Sequence, residues 1–337
     1  MKSLEGITVL DLTRLLPGAV ATQYLVRHGA EVIKIEQPGT GDYARRMNPP
    51  LFARTNAGKK SVVLDLKDTE GTNLLLALAA RADVLVEGFR PGVMERLGLG
   101  YETVREVNAG LIYVSLTGYG RHGPWSTLAG HDINYIAMGG LLGLNLPVIP
   151  GVQIADLAGG SMQTVIEILM ALHLRRATGT GQFVDVSMTA GVTSLLAIPL
   201  AQYADSGQEP IAGKELLSGR YACYNLYEAG DGRWLAVGAL EPKFWAELCR
   251  RLGCGELTGA QFDEARQDDM KARLASIFRN NDAASWFASL REGDCCVTPV
   301  RSVGEVAEEL PLEDLPPAPA LGEHNGEILA QLKNSRL

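Results

Sequence analysis

The 337-residue chain is poor in the side chains that staple a fold or hold a metal, with five cysteines and five histidines. Cys223, Cys249, Cys254, Cys295 and Cys296 form neither an even set nor a Cys-x-x-Cys pair. That argues against a disulfide framework and a thiolate zinc site, and leaves buried, inert thiols as the reading. The adjacent pair Cys295 and Cys296 is expected in a strand, with one thiol facing each way. No unbroken apolar run approaches the ~20 residues that cross a bilayer. The opening Met1-Lys2-Ser3-Leu4-Glu5-Gly6 lacks the charged, apolar and small-residue succession of a secretory leader, so a cytoplasmic enzyme is the expectation. GxSxG, HExxH and the P-loop are missing, as are repeats and low-complexity tracts. After the first apolar run stands Leu15-Leu16-Pro17-Gly18 instead of GxGxxG, which counts against an NAD site even though Glu36 closes the second run. Gly118, Gly120 and Gly123 have the right spacing later, but Pro124-Trp125-Ser126 follows them in place of a clear helix. The net charge of −8, from 31 basic and 39 acidic residues, opposes wholesale nucleic-acid binding while allowing a local basic pocket.

What is present is alternation. Apolar runs over residues 7–12, 31–36, 61–66, 82–87, 111–116 and 183–188 read as buried strands. Between them, helical patterns cover 19–26, 70–81, 93–97, 101–108 and 161–176. Strands alternating with helices imply parallel βαβ units with right-handed crossovers, hence an α/β, doubly wound parallel sheet. From about Tyr221 the texture changes. Residues 220–227 and 233–238 flank Ala229-Gly230-Asp231-Gly232, a hairpin signal, and helices follow near 242–252, 271–279 and 283–291 before a strand at 296–300. The expected division is a large α/β domain over 1–200, completed by 310–337, and a small α+β domain over 201–309. Residues 310–320 contain four prolines and read as an extended connector, with a final helix from about Glu327.

Two segments carry the chemistry. In Gly130-His131-Asp132-Ile133-Asn134-Tyr135 an imidazole lies in a polar, Gly-rich loop; in Ala155-Asp156-Leu157-Ala158-Gly159-Gly160 a lone carboxylate stands at the mouth of a helix. The two glycines there permit close approach of a ligand or of backbone. An acid/base pair from two loops suits proton transfer at a carbon next to a carbonyl. His131 also reads as a loop residue capping a helix that begins near Asp132, and Asp156 as the N-cap of the helix after it. Glu241, just before Pro242, reads either as an acid complementing a helix N-terminus or as the carboxylate that orients an imidazole. Arg14, Lys59, Lys60 and Arg90 form a basic set. At loops after strand ends it suits phosphates, and taken singly each is a solvated charge.

These segments resemble the family III CoA-transferases (CaiB/BaiF), and within them the racemase branch that acts on α-methylacyl-CoA. The resemblance runs through residues 6–12, 29–36, 56–67, 83–98, 118–124, 179–188 and 321–329. Gly130-His131-Asp132-Ile133-Asn134-Tyr135 and Gly238-Ala239-Leu240-Glu241-Pro242 look like the racemase branch in particular. The resemblance implies that His131 and Asp156 are acid and base on opposite faces of the α-carbon and that Glu241 pairs with His131. It assigns Arg14, Asn56, Lys59, Lys60, Phe89, Arg90, Gly130 and Asp132 to binding CoA, and backbone N–H groups near Asp156 and Gly159-Gly160 to the thioester oxygen. It calls for no metal and no cofactor beyond the CoA of the substrate, and for no nucleic-acid or membrane partner. It further implies an interlocked homodimer, with the site between one subunit's large domain and its partner's small domain. Only residues 310–319 bridge Glu309 and Ala320, a shorter return path than family members usually carry. The competing reading is a CoA-transferase with Asp156 as nucleophile, and a third is a CoA-binding protein without catalysis.

Overall fold

The computed structural model describes residues 2–310 and 315–334. The chain divides into two compact units, one made of Met1–Gly143, Pro147–Ala197 and Asp314–Leu337, the other of Leu144–Leu146 and Ile198–Glu313.

The first unit is built on six strands: β1 (Thr8–Leu12), β2 (Glu31–Glu36), β3 (Lys60–Val63), β4 (Val84–Glu87), β5 (Ile112–Thr117) and β6 (Phe183–Ser187). Their order is β3-β2-β1-β4-β5-β6 and every pairing is parallel. The chain runs outward from β1 to β3 and then returns to β4 on the other side of β1, so strand order reverses between β1 and β4. A crevice opens at the carboxyl ends of strands at such a point. Alternate residues feed two cores. Val9, Val32, Val84, Val86 and Val114 meet Leu25, Ile168 and Leu172 on one face; Leu10, Ile33, Leu85 and Tyr113 meet Leu75, Leu78 and Ile328 on the other. Both faces are covered, which is why the strands are near-continuously apolar.

Element ends differ from expectation for local reasons. The sixth strand stops at Ser187, whose hydroxyl accepts from Ala190 N–H at 3.2 Å and so caps a helix, Met188–Ser194, that the apolar run concealed. The turns Ala44–Met47 and Pro49–Asn56 lie in a stretch with no helical signal. There Pro49-Pro50 opens a helix whose cap, Asn48, accepts from Leu51 N–H at 3.2 Å, since proline is tolerated in a first turn. The helix expected over 161–176 starts earlier, with π-helical turns over Ala155–Met162 that continue as α-helix through Thr178. Together they make one stretch long and apolar enough to cross a bilayer by length and composition. The sequence shows no unbroken run there because Gly159, Gly160, Gln163 and Thr164 interrupt it. Its inner side, Ile168, Ala171 and Leu172, is core. Its outer side presents Met162, Ile166, Met170 and Leu174, each between 44% and 61% exposed.

The second unit holds an antiparallel sheet of β7 (Tyr224–Glu228), β8 (Trp234–Gly238) and β9 (Val297–Pro299). Around it pack Trp245 and Leu248 of the helix Pro242–Arg251 and Leu274 and Phe278 of Gln267–Phe278. Cys295 and Cys296 precede the third strand instead of lying in it: Cys295 is buried, while Cys296 is exposed at φ +50°. A short helix, Val303–Glu309, capped by Ser302, precedes the connector. Residues 311–314 of that connector lie outside the described residues; 315–320 carry neither helix nor strand, and the last helix is Asn325–Asn334.

Candidate active site

Two concavities lie side by side at the carboxyl ends of the parallel strands. The first, about 320 Å³, is walled by Arg14, Gln37, Lys67, Leu97 and Phe89. The second, about 470 Å³, is walled by Phe89, Arg90, Tyr119, Gly130, His131 and Tyr135. Phe89 belongs to both. Arg14, in the loop after β1, places its guanidinium 5.1 Å from the centre of the Tyr43 ring and 5.2 Å from that of Phe89. It also donates to Tyr43 Oη at 3.0 Å and Gln37 Oε1 at 3.1 Å. Loops from the two strands that flank the reversal thus meet at this stacked pair.

Phe89 and Arg90 are held from below by Glu87, the last residue of β4, whose Oε2 accepts from Phe89 N–H at 2.7 Å. Burial pushes that carboxyl up to about 7. Arg90 is exposed, and among the described residues no hydrogen bond or ion pair engages its guanidinium, so it is available to an anion.

His131 is the exposed N-cap of the helix Asp132–Met138, and its backbone N–H donates to Asn134 Oδ1 at 3.0 Å. Capping and an accessible imidazole therefore coexist. Asp156 is the second residue of the π-helical turns, inside the helix, and Ile154 holds the cap position. Wide π turns often mark functional positions. The Asp156 carboxyl is pushed up to about 6, by burial first and by the neighbouring Asp132 charge second, against the lowering field of His131. Asp132 Oδ1 accepts from Asp156 N–H at 2.9 Å. One carboxylate thereby ties the loop that carries His131 to the turn that carries Asp156. Asp132 was expected among the CoA ligands; one of its carboxylate oxygens is engaged by Asp156 N–H.

Three further expectations need correction. Lys59 is enclosed, with Nζ donating to Asp11 Oδ2 (3.1 Å), Ala19 O (3.0 Å), Thr22 Oγ1 (2.7 Å) and Asn56 Oδ1 (2.9 Å). Burial lowers its pKa to about 8. Asn56 is buried in the same network, its Nδ2 donating to Phe52 O at 3.0 Å, so neither residue faces the crevice. Lys60 starts β3, at the end of the sheet opposite the crevice, and pairs with Glu31 at 2.6 Å and Glu327 at 2.7 Å. Gly159 and Gly160 are likewise buried, and their lack of side chain serves packing. A Cβ on Gly159 would lie 2.5 Å from the Met188 carbonyl, and one on Gly191 would lie 2.3 Å from the Gly159 carbonyl. Glu241 is the exposed N-cap of the helix Pro242–Arg251 in the second unit.

Sequence reasoning missed Gln37 and Lys67 in the first concavity and Tyr43 against Arg14. No motif marks them, and only the sheet order β3-β2-β1 brings the loops after β2 and β3 beside Arg14.

The profile of CoA-transferase family III matches residues 4–315. The alpha-methylacyl-CoA racemase of Homo sapiens is 36% identical over 373 aligned positions, covering 99% of this chain and 94% of that protein. The succinyl-CoA:glutarate CoA-transferase of Mus musculus is 34% identical, covering 92% of this chain and 74% of that protein. Among solved structures, a CAIB/BAIF family protein from Brucella suis superposes with a TM-score of 0.84 at 29% identity, covering 98% of this chain and 99% of that one. Rv3272 from Mycobacterium tuberculosis does so with a TM-score of 0.82 at 28% identity, covering 97% and 99%.

Proposed function

This chain belongs to CoA-transferase family III and is one of its enzymes, and from that premise we propose that it is a racemase of 2-methylacyl-CoA thioesters. In this reading the acyl group lies against the second concavity, with its α-carbon between His131 and Asp156. One group takes the α-proton, the electron pair moves onto the thioester carbonyl as an enolate, and the other group, protonated, delivers a proton to the opposite face. The two groups exchange protonation states in each turnover, so each enantiomer is the substrate of the reverse step. The thioester oxygen, where negative charge develops, calls for backbone N–H donors; the Asp156 N–H, expected among them, is already donated to Asp132 Oδ1. Proton transfer is the whole of the chemistry, and the reading calls on no cofactor beyond the CoA of the substrate.

The observation that carries the reading is the Asp156 carboxyl raised to about 6, in a turn hydrogen-bonded to Asp132, the residue next to His131. A reversible proton carrier works best with a pKa near the working pH, whereas a nucleophilic carboxylate gains nothing from being protonated near neutrality. Arg14, Phe89 and Arg90 are the residues proposed for the nucleotide and pyrophosphate. The 34% identity to a CoA-transferase keeps the second reading in play, with Asp156 attacking the thioester carbon to form an acyl anhydride and release CoA thiolate. Incubation in D2O separates the two. The racemase places deuterium at the α-position of a 2-methylacyl-CoA without any acceptor acid. No α-deuterium, with CoA appearing instead on an added carboxylate, reverses the assignment.

A further inference from the structure

Beneath the Arg14 loop lies a cluster of buried charges that no step of the proposed reaction uses. The side chains of Asp11, Lys34 and Lys59 are fully buried, and that of Asp42 nearly so. Lys34 Nζ lies 2.9 Å from Asp42 Oδ2 and 3.9 Å from Asp11 Oδ2. Burial works against the Lys34 ammonium, yet Asp11 and Asp42 outweigh it and hold its pKa above the ordinary lysine value. A charge cluster this dry costs several kcal/mol per ion in desolvation before its pairing offsets that, so a plain stabilising role is a weak account of it.

The hydrogen bonds show what the cluster holds. Lys34 Nζ donates to Thr13 O at 3.0 Å, and Asp42 Oδ1 accepts from Leu15 N–H at 3.1 Å. Asp11 Oδ1 accepts from Thr13 N–H at 2.9 Å and from Thr13 Oγ1 at 2.5 Å. The Thr13 carbonyl lies in the peptide plane before Arg14, and the Leu15 N–H in the plane after it. Backbone freedom resides only in the φ and ψ between two planar peptides, so fixing both planes fixes the direction in which the Arg14 Cα–Cβ bond leaves the backbone, and contacts with Tyr43, Gln37 and Phe89 place the guanidinium. The hold is tight enough to keep Leu15 at φ +61°, a left-handed conformation that is strained for a non-glycine residue and persists only where the surroundings over-determine it.

We infer that Lys34 and Asp42 are positioning residues that hold Arg14 at the mouth of the first concavity, against Phe89 and Tyr43, to receive the nucleotide end of CoA. The inference rests on the CoA-ester reading above. It assigns these two buried charges to recognition of the nucleotide half of the ligand and to no part of proton transfer.

Calorimetric titration with CoA and with pantetheine, which lacks the nucleotide, tests it on the full chain. The wild type and the variants Asp42→Asn, Lys34→Met and Leu15→Pro are compared, with Arg14→Ala as reference. Leu15→Pro leaves every buried charge in place but removes the N–H that Asp42 accepts from and excludes the φ of +61°, so it reports even if the charge variants fold poorly. Each variant is expected to weaken CoA by about tenfold, the equivalent of ~1.4 kcal/mol, while leaving pantetheine unchanged, as Arg14→Ala does. The kcat for α-deuterium exchange at saturating CoA ester should stay within about twofold, with the loss confined to KM. Parallel losses for both ligands, a fall in kcat, or a wild type that does not distinguish CoA from pantetheine each overturns the inference. Wild-type exchange is scored separately: if it is absent while the pattern of affinities holds, the racemase reading falls and the positioning role stands.

Discussion

At the residue scale the decisive pair is Asp132 and Asp156. Asp132 supplies both a hydrogen bond and a repelling charge to the same neighbour, and the two effects separate by substitution. Asp132→Asn retains an oxygen that can accept from Asp156 N–H and removes the charge. The Asp156 carboxyl should then titrate closer to its ordinary value, moving the acid limb of the exchange-rate profile down by on the order of one pH unit. An acid limb that stays in place assigns it to another group. His131→Ala should abolish exchange, with a loss of at least about 10²-fold, while calorimetry shows CoA-ester affinity retained. A large affinity loss with exchange intact makes His131 a binding residue. The raised carboxyl also bears on stability. A folded-state pKa above the unfolded one means that the folded chain binds more protons between about pH 4 and 6, so this group's contribution to stability declines as pH rises through that window.

At the element scale the π-helical turns over Ala155–Met162 are seated by glycine on glycine. The short distance from Gly159 to the backbone of the helix Met188–Ser194 leaves no room for a methyl group, and the obstructing atom is a carbonyl that no rotamer change relieves. Gly159→Ala should cost about 1–3 kcal/mol, measured as a lower melting temperature, with reduced exchange because Asp156 moves with its turn. An unchanged melting temperature shows that the helices slide apart freely. The dipeptide Gly159-Gly160 was conspicuous in the sequence as a place of close approach. Only the structure shows that what approaches is backbone. The basic set divides in the same way. Arg14 and Arg90 follow strand ends that face the crevice, whereas Lys59 and Lys60 sit where β3 begins, and a linear string does not mark which end of a strand its neighbours extend.

At the scale of the whole molecule the outer face of the long helix is the feature to explain. Met162, Ile166, Met170 and Leu174 recur every fourth residue and form one exposed apolar stripe, with Leu169 (44% exposed) beside it. Apolar stripes of this kind mark interaction surfaces, and we propose that a second copy of the chain covers this one. Sedimentation velocity should give a two-chain species, and Ile166→Glu with Met170→Glu should shift it to one chain. A wild type that sediments as a single chain removes the homodimer from the proposal.

Much of the architecture was legible because parallel strands covered on both faces must be apolar along their length, and the helices between them must carry one apolar stripe. Apolar runs therefore located the six strands of the first unit, and the Ala229-Gly230-Asp231-Gly232 turn signal the hairpin of the second. His131 and Asp156 were legible as unusual side chains in Gly-rich surroundings. The tertiary structure decided what periodicity cannot encode: the reversal of strand order between β1 and β4, which sets Arg14 against Phe89, and the hydrogen bond that ties Asp132 to Asp156. It also decided that Asp11, Lys34 and Lys59 are interior. A charged residue in a strand is stable inside only when a partner from a distant segment meets it, and that meeting is a property of three-dimensional proximity which no local pattern contains.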